Sequence, residues 1–292
     1  MRRGRSALIS CLFVAAASCG FPEFTFRATD EADSGHAESG PETGSSTTPS
    51  CPGPSTGDAC TLVPRLPRAQ KVDGFGDEFC DVPATSFDAK SAQYVEPSKP
   101  PAGVSSTARV HVAYSDAGLH VFVHVADPKV VVAPYTSVPL LTNGDSIEIC
   151  AAGFGDVTGS FSHGVDVGAA HIVIAPPYGG FPPRALRYDS FEDGTPAALP
   201  STDFAGRLVD DGYEIELHLR WADLTGTHGT PVAPQKIAFD VSINLSDDGK
   251  ARVLQETLGF RPQTKPSDDC VHNGTTAEPY CDDRVWCTPS LQ

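Results

Sequence analysis

The chain has 292 residues, 21 Lys and Arg against 37 Asp and Glu, and a formal net charge of −16. A protein this acidic is a poor match for phosphate backbones or anionic lipid surfaces, so nucleic acid is excluded as a partner. Nine cysteines suit an exported, oxidised protein better than a cytosolic one.

Met1-Arg2-Arg3-Gly4-Arg5 is a basic start, and Ala7–Ala17 is a short apolar run. Residues 1–18 therefore read as a secretory signal, since about ten apolar residues are too few to span a bilayer. Ala16-Ala17-Ser18-Cys19-Gly20 resembles a bacterial lipobox, with Cys19 as the acylated first residue and Ala16 where Leu is usual. Ordinary cleavage near Ser18 is the alternative. Either way the chain is exported. With the lipid it is a bacterial cell-envelope lipoprotein, facing periplasm or surface and touching membrane only through that lipid. Residues 19–60 are rich in Ser, Pro, Gly and acids with little to bury, and are expected to remain a disordered tether.

Residues 61–265 suffice for one sizeable core. Val110, Val112 and Tyr114 alternate with Arg109, His111 and Ala113. Past the Ser115–Gly118 break, Leu119, Val121, Val123 and Val125 alternate with His120, Phe122, His124 and Ala126. Period-2 alternation either side of an Asp/Gly turn predicts a β-hairpin. Asn143-Gly144-Asp145 turns into a third strand at Ser146–Cys150. Further strands are predicted at His171–Ala175, Arg184–Tyr188, Phe204–Val209, Tyr213–Leu219, Lys236–Leu245 and Ala251–Glu256, with one helical turn at Trp221–Leu224. No long window has helical periodicity. About nine short strands with frequent turns predict an all-β, antiparallel β-sandwich. Residues 266–292 form a Cys-rich extension.

Cys11 leaves with the signal. The disulfide candidates are Cys51, Cys60, Cys80, Cys150, Cys270, Cys281 and Cys287. Cys51 with Cys60, Cys80 with Cys150, and two of the last three with each other are the expected pairs. No close Cys-x-x-Cys pair favours a metal instead.

Several segments, in order, resemble the family 9 carbohydrate-binding modules of the DOMON-like β-sandwich group. Val72–Phe79 resembles the family's opening Asp-Gly with an acidic-aromatic pair, and residues 109–127 resemble its hairpin ending in Asp. Asn143–Ile149 is similar to its Gly-Asp-x-Val-Glu strand. Asp211–Glu216 through Arg220–Leu224 resembles its Gly-Tyr-x-x-Glu and Trp-x-x-Leu segment, and Phe239–Asn244 its next strand. The resemblance implies non-catalytic binding of a polysaccharide or oligosaccharide, with aromatic rings stacking on sugar and polar side chains holding hydroxyls. It points to Glu148 and Asn244 as polar contacts, and to Phe260 or the loop residue Tyr178 as the aromatic. Leu141-Thr142 stands where the family carries a stacking Trp. The rival reading is thus a structural or protein-interaction sandwich that has lost its sugar site.

By alternation alone Glu148 reads as solvent-facing, opposite Ile147 and Ile149. Turn carboxylates Asp127, Asp145 and Asp247 are candidates for a structural Ca²⁺, which needs about six to eight oxygens, although Asx turns explain such residues without metal. His111, His120 and His124 admit a bis-His haem as a further alternative. Met-ligated haem is excluded, because the one methionine is Met1. No Gly-x-Ser-x-Gly, His-Glu-x-x-His or phosphate loop appears, and Glu214 and Glu216 share one strand face, unlike glycosidase carboxylates. The chain is not read as an enzyme.

Overall fold

A computed structural model of the protein describes residues 57–67, 70–92, 94–97, 101–102, 104–134, 138–157, 168–189, 196–233, 235–258, 271–272, 276–277 and 286–292. The signal sequence, Cys19, Cys51, Phe260, Cys270 and Cys281 lie outside the described residues. The strands are β1 (Leu62–Val63), β2 (Ala84–Phe87), β3 (Tyr94–Glu96), β4 (Thr107–Tyr114), β5 (Gly118–Ala126), β6 (Ser146–Ala152), β7 (Ala170–Ala175) and β8 (Arg184–Tyr188). They continue with β9 (Ala197–Ala198), β10 (Phe204–Val209), β11 (Gly212–Arg220), β12 (Ala238–Leu245), β13 (Leu254–Thr257), β14 (Val271–His272), β15 (Thr276–Ala277) and β16 (Ser290–Leu291). One helical turn, α1 (Trp221–Leu224), follows β11, and 3-10 turns occupy Asp77–Phe79 and Val138–Asn143.

Strands build two sheets because each carries an apolar row that must be covered. The order β10-β11-β5-β4-β2 makes a five-stranded sheet and β3-β13-β12-β6-β7-β8-β9 a seven-stranded one. Every neighbouring pair in the two is antiparallel. Val110, Val112, Val121, Val123, Ile215 and Leu217 from the first meet Ile147, Ile149, Ile172, Ile174, Val241 and Ile243 from the second in one buried core. Each such side chain contributes about 1.5–3 kcal/mol of transfer free energy. The chain is an all-β sandwich, as its alternation predicts. Trp221 is core too: it is buried, and its indole Nε1 donates to the Ser115 carbonyl at 2.8 Å.

The two ends of the sandwich sequence meet. β1 and β16 pair in parallel, Leu62 opposite Ser290 and Val63 opposite Leu291. That register places Cys60 beside Cys287, and these two form a disulfide. The expected Cys51–Cys60 pair is therefore wrong, because strand register rather than sequence proximity selects the partner. Cys80 is disulfide-bonded, but not to Cys150, which stays a buried thiol. Cys150 packs with Ala152, Phe154, Ala169, Ala238 and Trp286 in a satellite cluster. The ordered region also reaches back past residue 61, since the Gly57 N–H donates to the Ala84 carbonyl and the Ala59 N–H to Thr85 Oγ1. Among the described residues no helix is long and apolar enough to cross a membrane.

Candidate functional site

With Ile147 and Ile149 of β6 in the core, Glu148 faces the other side of the seven-stranded sheet. Strand order brings four further side chains to it. Val173 pairs with Glu148 and His171 with Cys150, so His171 of β7 lies diagonal to Glu148 on the same face. On β12, Ser242 pairs with Glu148 and Asn244 with Ser146, and Gln255 of β13 pairs with Asn244. His171 Nε2 donates to Glu148 Oε2 at 2.6 Å. Asn244 Nδ2 and Gln255 Nε2 both donate to Oε1, at 2.7 and 3.0 Å. Arg252 Nη1 stands 3.6 Å from the same oxygen.

The expectation of a solvent-facing Glu148 is overturned. It is only 2% exposed, because its neighbours on the same face close around it as hydrogen-bond donors. Burial alone would raise its pKa. The hydrogen bond and charge of His171, the charge of Arg252 and the Asn244 bond outweigh that and hold it below the ordinary carboxylate value. An ionised Glu148 only accepts, so the amide nitrogens of Asn244 and Gln255 must both face it. Asn244 Oδ1 is left 3.4 Å from Arg252 Nη1. Gln255, 1% exposed, is left with an Oε1 that has no hydrogen-bond partner among the described residues. Such an orphaned acceptor costs about 1–3 kcal/mol.

The rim of this cluster is aromatic. Tyr188 of β8 pairs with His171 and stacks on its ring, centroids 5.4 Å apart. Tyr188 is partly exposed, and burial with the nearby Glu148 charge raises its pKa. Sequence reasoning found Glu148 and Asn244 but missed His171, Gln255, Arg252 and Tyr188. The usable signal for His171 was that Ile172 and Ile174 point inward, which turns His171 outward.

Tyr178 is not part of the cluster. It pairs with Phe181 across Gly179-Gly180, both with positive φ, at a hairpin tip where the two rings are 46% and 53% exposed. The register continues that of Ile174 with Ala185, so by parity Tyr178 belongs with Ile172 and Ile174 rather than with His171. Leu141, at the position of the family's Trp, is buried against Val173, Ala175 and Leu186.

The calcium candidates divide. Asp145 Oδ2 accepts from the Val131 N–H, Asp145 Oδ1 from the Ser246 N–H at 2.7 Å, and Asp127 Oδ1 from the Lys129 N–H at 2.9 Å. Asp145 and Asp127 also bond to each other. Burial, with the Asp127 charge adding to it, carries Asp145 up to about 8 against those two amide bonds. Asp247 lies on an exposed turn, its carbonyl taken by Lys129 Nζ at 2.8 Å. Among the described residues no group of three metal-ligating side chains converges, whereas Ca²⁺ takes about six to eight oxygens.

The opposite layer carries a second polar cluster. Residues 70–79 lie over the five-stranded sheet, with Phe79 stacked on Phe122 at 5.8 Å. Gly76 has φ 64° and a Cβ there would meet the Phe122 ring at 2.4 Å, so glycine is required. Glu216 accepts from the Asp73 and Gly74 N–H groups at 3.0 and 2.8 Å and from Gln70 Nε2 at 2.9 Å. His120 Nδ1 donates to Gln70 Oε1, and its Nε2 accepts from Ser115 Oγ at 2.7 Å. Burial, then the charge of His218, drives the His120 pKa down to about 3. His111 Nδ1 donates to the Val82 carbonyl at 2.8 Å, and His124 bonds Glu214 at 3.2 Å. The three histidines proposed for haem thus serve three separate contacts.

No protein-family model matches the sequence, and no curated protein matches it. Among solved structures the chain is similar to a family 9 carbohydrate-binding module from Caldicellulosiruptor kristjanssonii in complex with cellotriose. Identity is 16%, the TM-score 0.52, and the match covers 80% of this chain and 93% of that one. It is similar to a family 9 module from the same organism in complex with glucose at 16% identity and TM-score 0.52, covering 80% of this chain and 96% of that one. The likeness is one of fold: the chain is a family 9-like β-sandwich.

Proposed function

We propose that this is a non-catalytic carbohydrate-binding domain, exported and tethered to the bacterial cell envelope through Cys19 and the linker of residues 19–60. Its saccharide site is the Glu148 face, with Asn244, Gln255, His171 and Arg252 as hydroxyl-binding groups and Tyr188 as the ring-stacking rim. The observation that carries the reading is Gln255 Oε1, a buried acceptor without a donor among the described residues, beside a carboxylate whose own acceptors are satisfied. A sugar hydroxyl is a donor of the right size, and it could in turn accept from Arg252. The neighbouring fold, seen with cellotriose and with glucose in the relatives, supports the same class of ligand.

Leu141 favours the rival, an interaction module, because it fills with aliphatic packing the place of a stacking ring. Calorimetric titration of the purified protein with glucose, cellotriose and a wider saccharide panel decides between them. The expected result is a saturable heat at about micromolar to millimolar ligand, lost in Asn244→Ala. Silence across the panel from a folded sample overturns the proposal.

A further inference from the structure

His124 of β5 stands in a row of polar side chains that crosses the outer face of the five-stranded sheet. Val123 and Val125 are core residues, so His124 turns outward. Arg109 of β4 and Glu214 of β11 pair with it, and Arg207 of β10 pairs with Glu214. Both ring nitrogens face carboxylates. Nδ1 lies 3.2 Å from Glu214 Oε1, and Nε2 lies 3.4 Å from Asp211 Oδ2 on the β10–β11 turn. The other oxygen of Glu214 takes Arg207, with Nε at 2.6 Å and Nη2 at 2.5 Å.

An ionised carboxylate only accepts, and a neutral imidazole carries a single N–H. Carboxylates on both nitrogens are therefore satisfied together only by the imidazolium. The neutral ring must give one of them up. Glu214 has the shorter contact, a side chain only 10% exposed and a second hold through Arg207. Asp211 has the longer contact and a side chain 64% exposed, able to turn to water. Asp211 is the one released. We infer that His124 is a pH-operated latch on the β10–β11 turn: its imidazolium holds the Asp211 carboxylate on the sheet, and its neutral form lets that carboxylate go. Because β10 is the outermost strand of its sheet, the latch sets how firmly the edge hairpin is closed at its turn.

The remaining groups around the ring replace neither partner. Arg109 carries the same sign as the imidazolium, and Ser86 of β2, opposite Arg109, is uncharged. His111 of β4 is committed to the Val82 carbonyl. Burial holds its pKa low against that bond, with the charges of Arg109 and His124 adding. From the overlying segment, Asp73 pairs with Lys71 at 2.9 Å, and Phe75 covers the Arg207 guanidinium at 4.3 Å. Asp127, beyond the end of β5, bonds Asp145, and its N–H donates to the Asp211 carbonyl at 2.8 Å, a main-chain tie that titration does not touch. The Glu214 bond, then the Asp211 charge, raise the His124 pKa above its ordinary 6.5 against the cost of burial. With the folded value raised, the latch's stabilisation is complete below about pH 6.5 and is lost as pH rises through the folded value. It closes in acid and opens in alkali, and it does not depend on the saccharide reading.

NMR titration of the purified protein between about pH 5 and pH 9 tests this, reading the His124 ring and the backbone amides of residues 210–212. The ring should titrate above 6.5 and carry protons on both nitrogens below its midpoint. The turn amides should follow the same midpoint and, relative to intrinsic exchange rates, exchange about threefold faster above it. His124→Gln should hold the turn at the faster rate throughout the range. Should that variant unfold, Asp211→Asn on the exposed turn is the second test. It should lower the ring's midpoint by about 0.5 in pH, the worth of one partly exposed ion pair, and leave the turn amides indifferent to it. A wild-type midpoint at or below 6.5 overturns the inference, as does an unchanged midpoint in Asp211→Asn. Turn amides that ignore the ring overturn it too, since His124 and Asp211 would then attract each other without latching anything.

Discussion

Glu148 and Glu216 are both buried glutamates on outward faces of the two sheets, yet they are held by opposite kinds of donor. Glu216 takes two main-chain N–H groups of residues 73 and 74 and the Gln70 amide. Its pKa is raised, because burial outweighs those bonds. Glu148 takes only side chains, from His171, Asn244, Gln255 and Arg252, and its pKa is lowered. Main-chain donors come with a segment attached, so Glu216 is a staple that fixes the 70–79 strap to the sheet. Side-chain donors can swing a few tenths of an ångström without moving backbone, and they can trade a partner for a ligand hydroxyl. The acid that organises a cover and the acid at the proposed site are told apart by what reaches them.

That contrast can be broken or sharpened experimentally. Glu148→Ala should abolish saccharide binding, a loss of more than about 100-fold from two or more charged hydrogen bonds, measured by calorimetry on folded protein. Glu216→Ala should lower unfolding free energy by about 3 kcal/mol, because it strands buried N–H groups, yet keep saccharide affinity. Urea titration alongside calorimetry reads both quantities, and equal losses of affinity in the two variants would collapse the distinction.

A smaller effect follows from Asp145. Its folded pKa of about 8 lies above the ordinary 3.8, so the folded chain keeps a proton that the unfolded chain releases between those values. Stability is therefore full below about pH 4 and declines as pH rises toward 8. Asp127→Asn removes one of the two causes, leaves an amide able to donate to Asp145, and should make the decline shallower in urea titrations between pH 5 and 9. Smallest of all, Tyr178→Ala should change affinity for short saccharides by less than about twofold, as for a surface substitution outside the site. A larger loss would bring the hairpin tip into the binding face.

Much of the fold was legible because an antiparallel sandwich writes its inward rows as period-2 alternation. The strands at Arg184–Tyr188 and Phe204–Val209 have the predicted bounds. Alternation tells which side Glu148 is on. It does not tell which side chains close around Glu148 there, and so its burial was invisible. The rest of the cluster comes from β7, β8, β12 and β13, and what joins them is the order β13-β12-β6-β7-β8, which no local pattern encodes. The Cys60–Cys287 pairing was hidden for the same reason: it depends on β1 lying beside β16.

That junction has a mechanical consequence. The chain enters the sandwich beside the point where residues 287–292 dock, and Gln292 is itself held there, its N–H donating to the Val63 carbonyl and its carbonyl accepting from the Tyr114 hydroxyl at 2.6 Å. The Cys60–Cys287 bridge closes a covalent ring over the 227-residue span between them. Both sheets, and the two faces compared above, sit inside that ring, so the two ends of the span cannot separate while the bridge is intact.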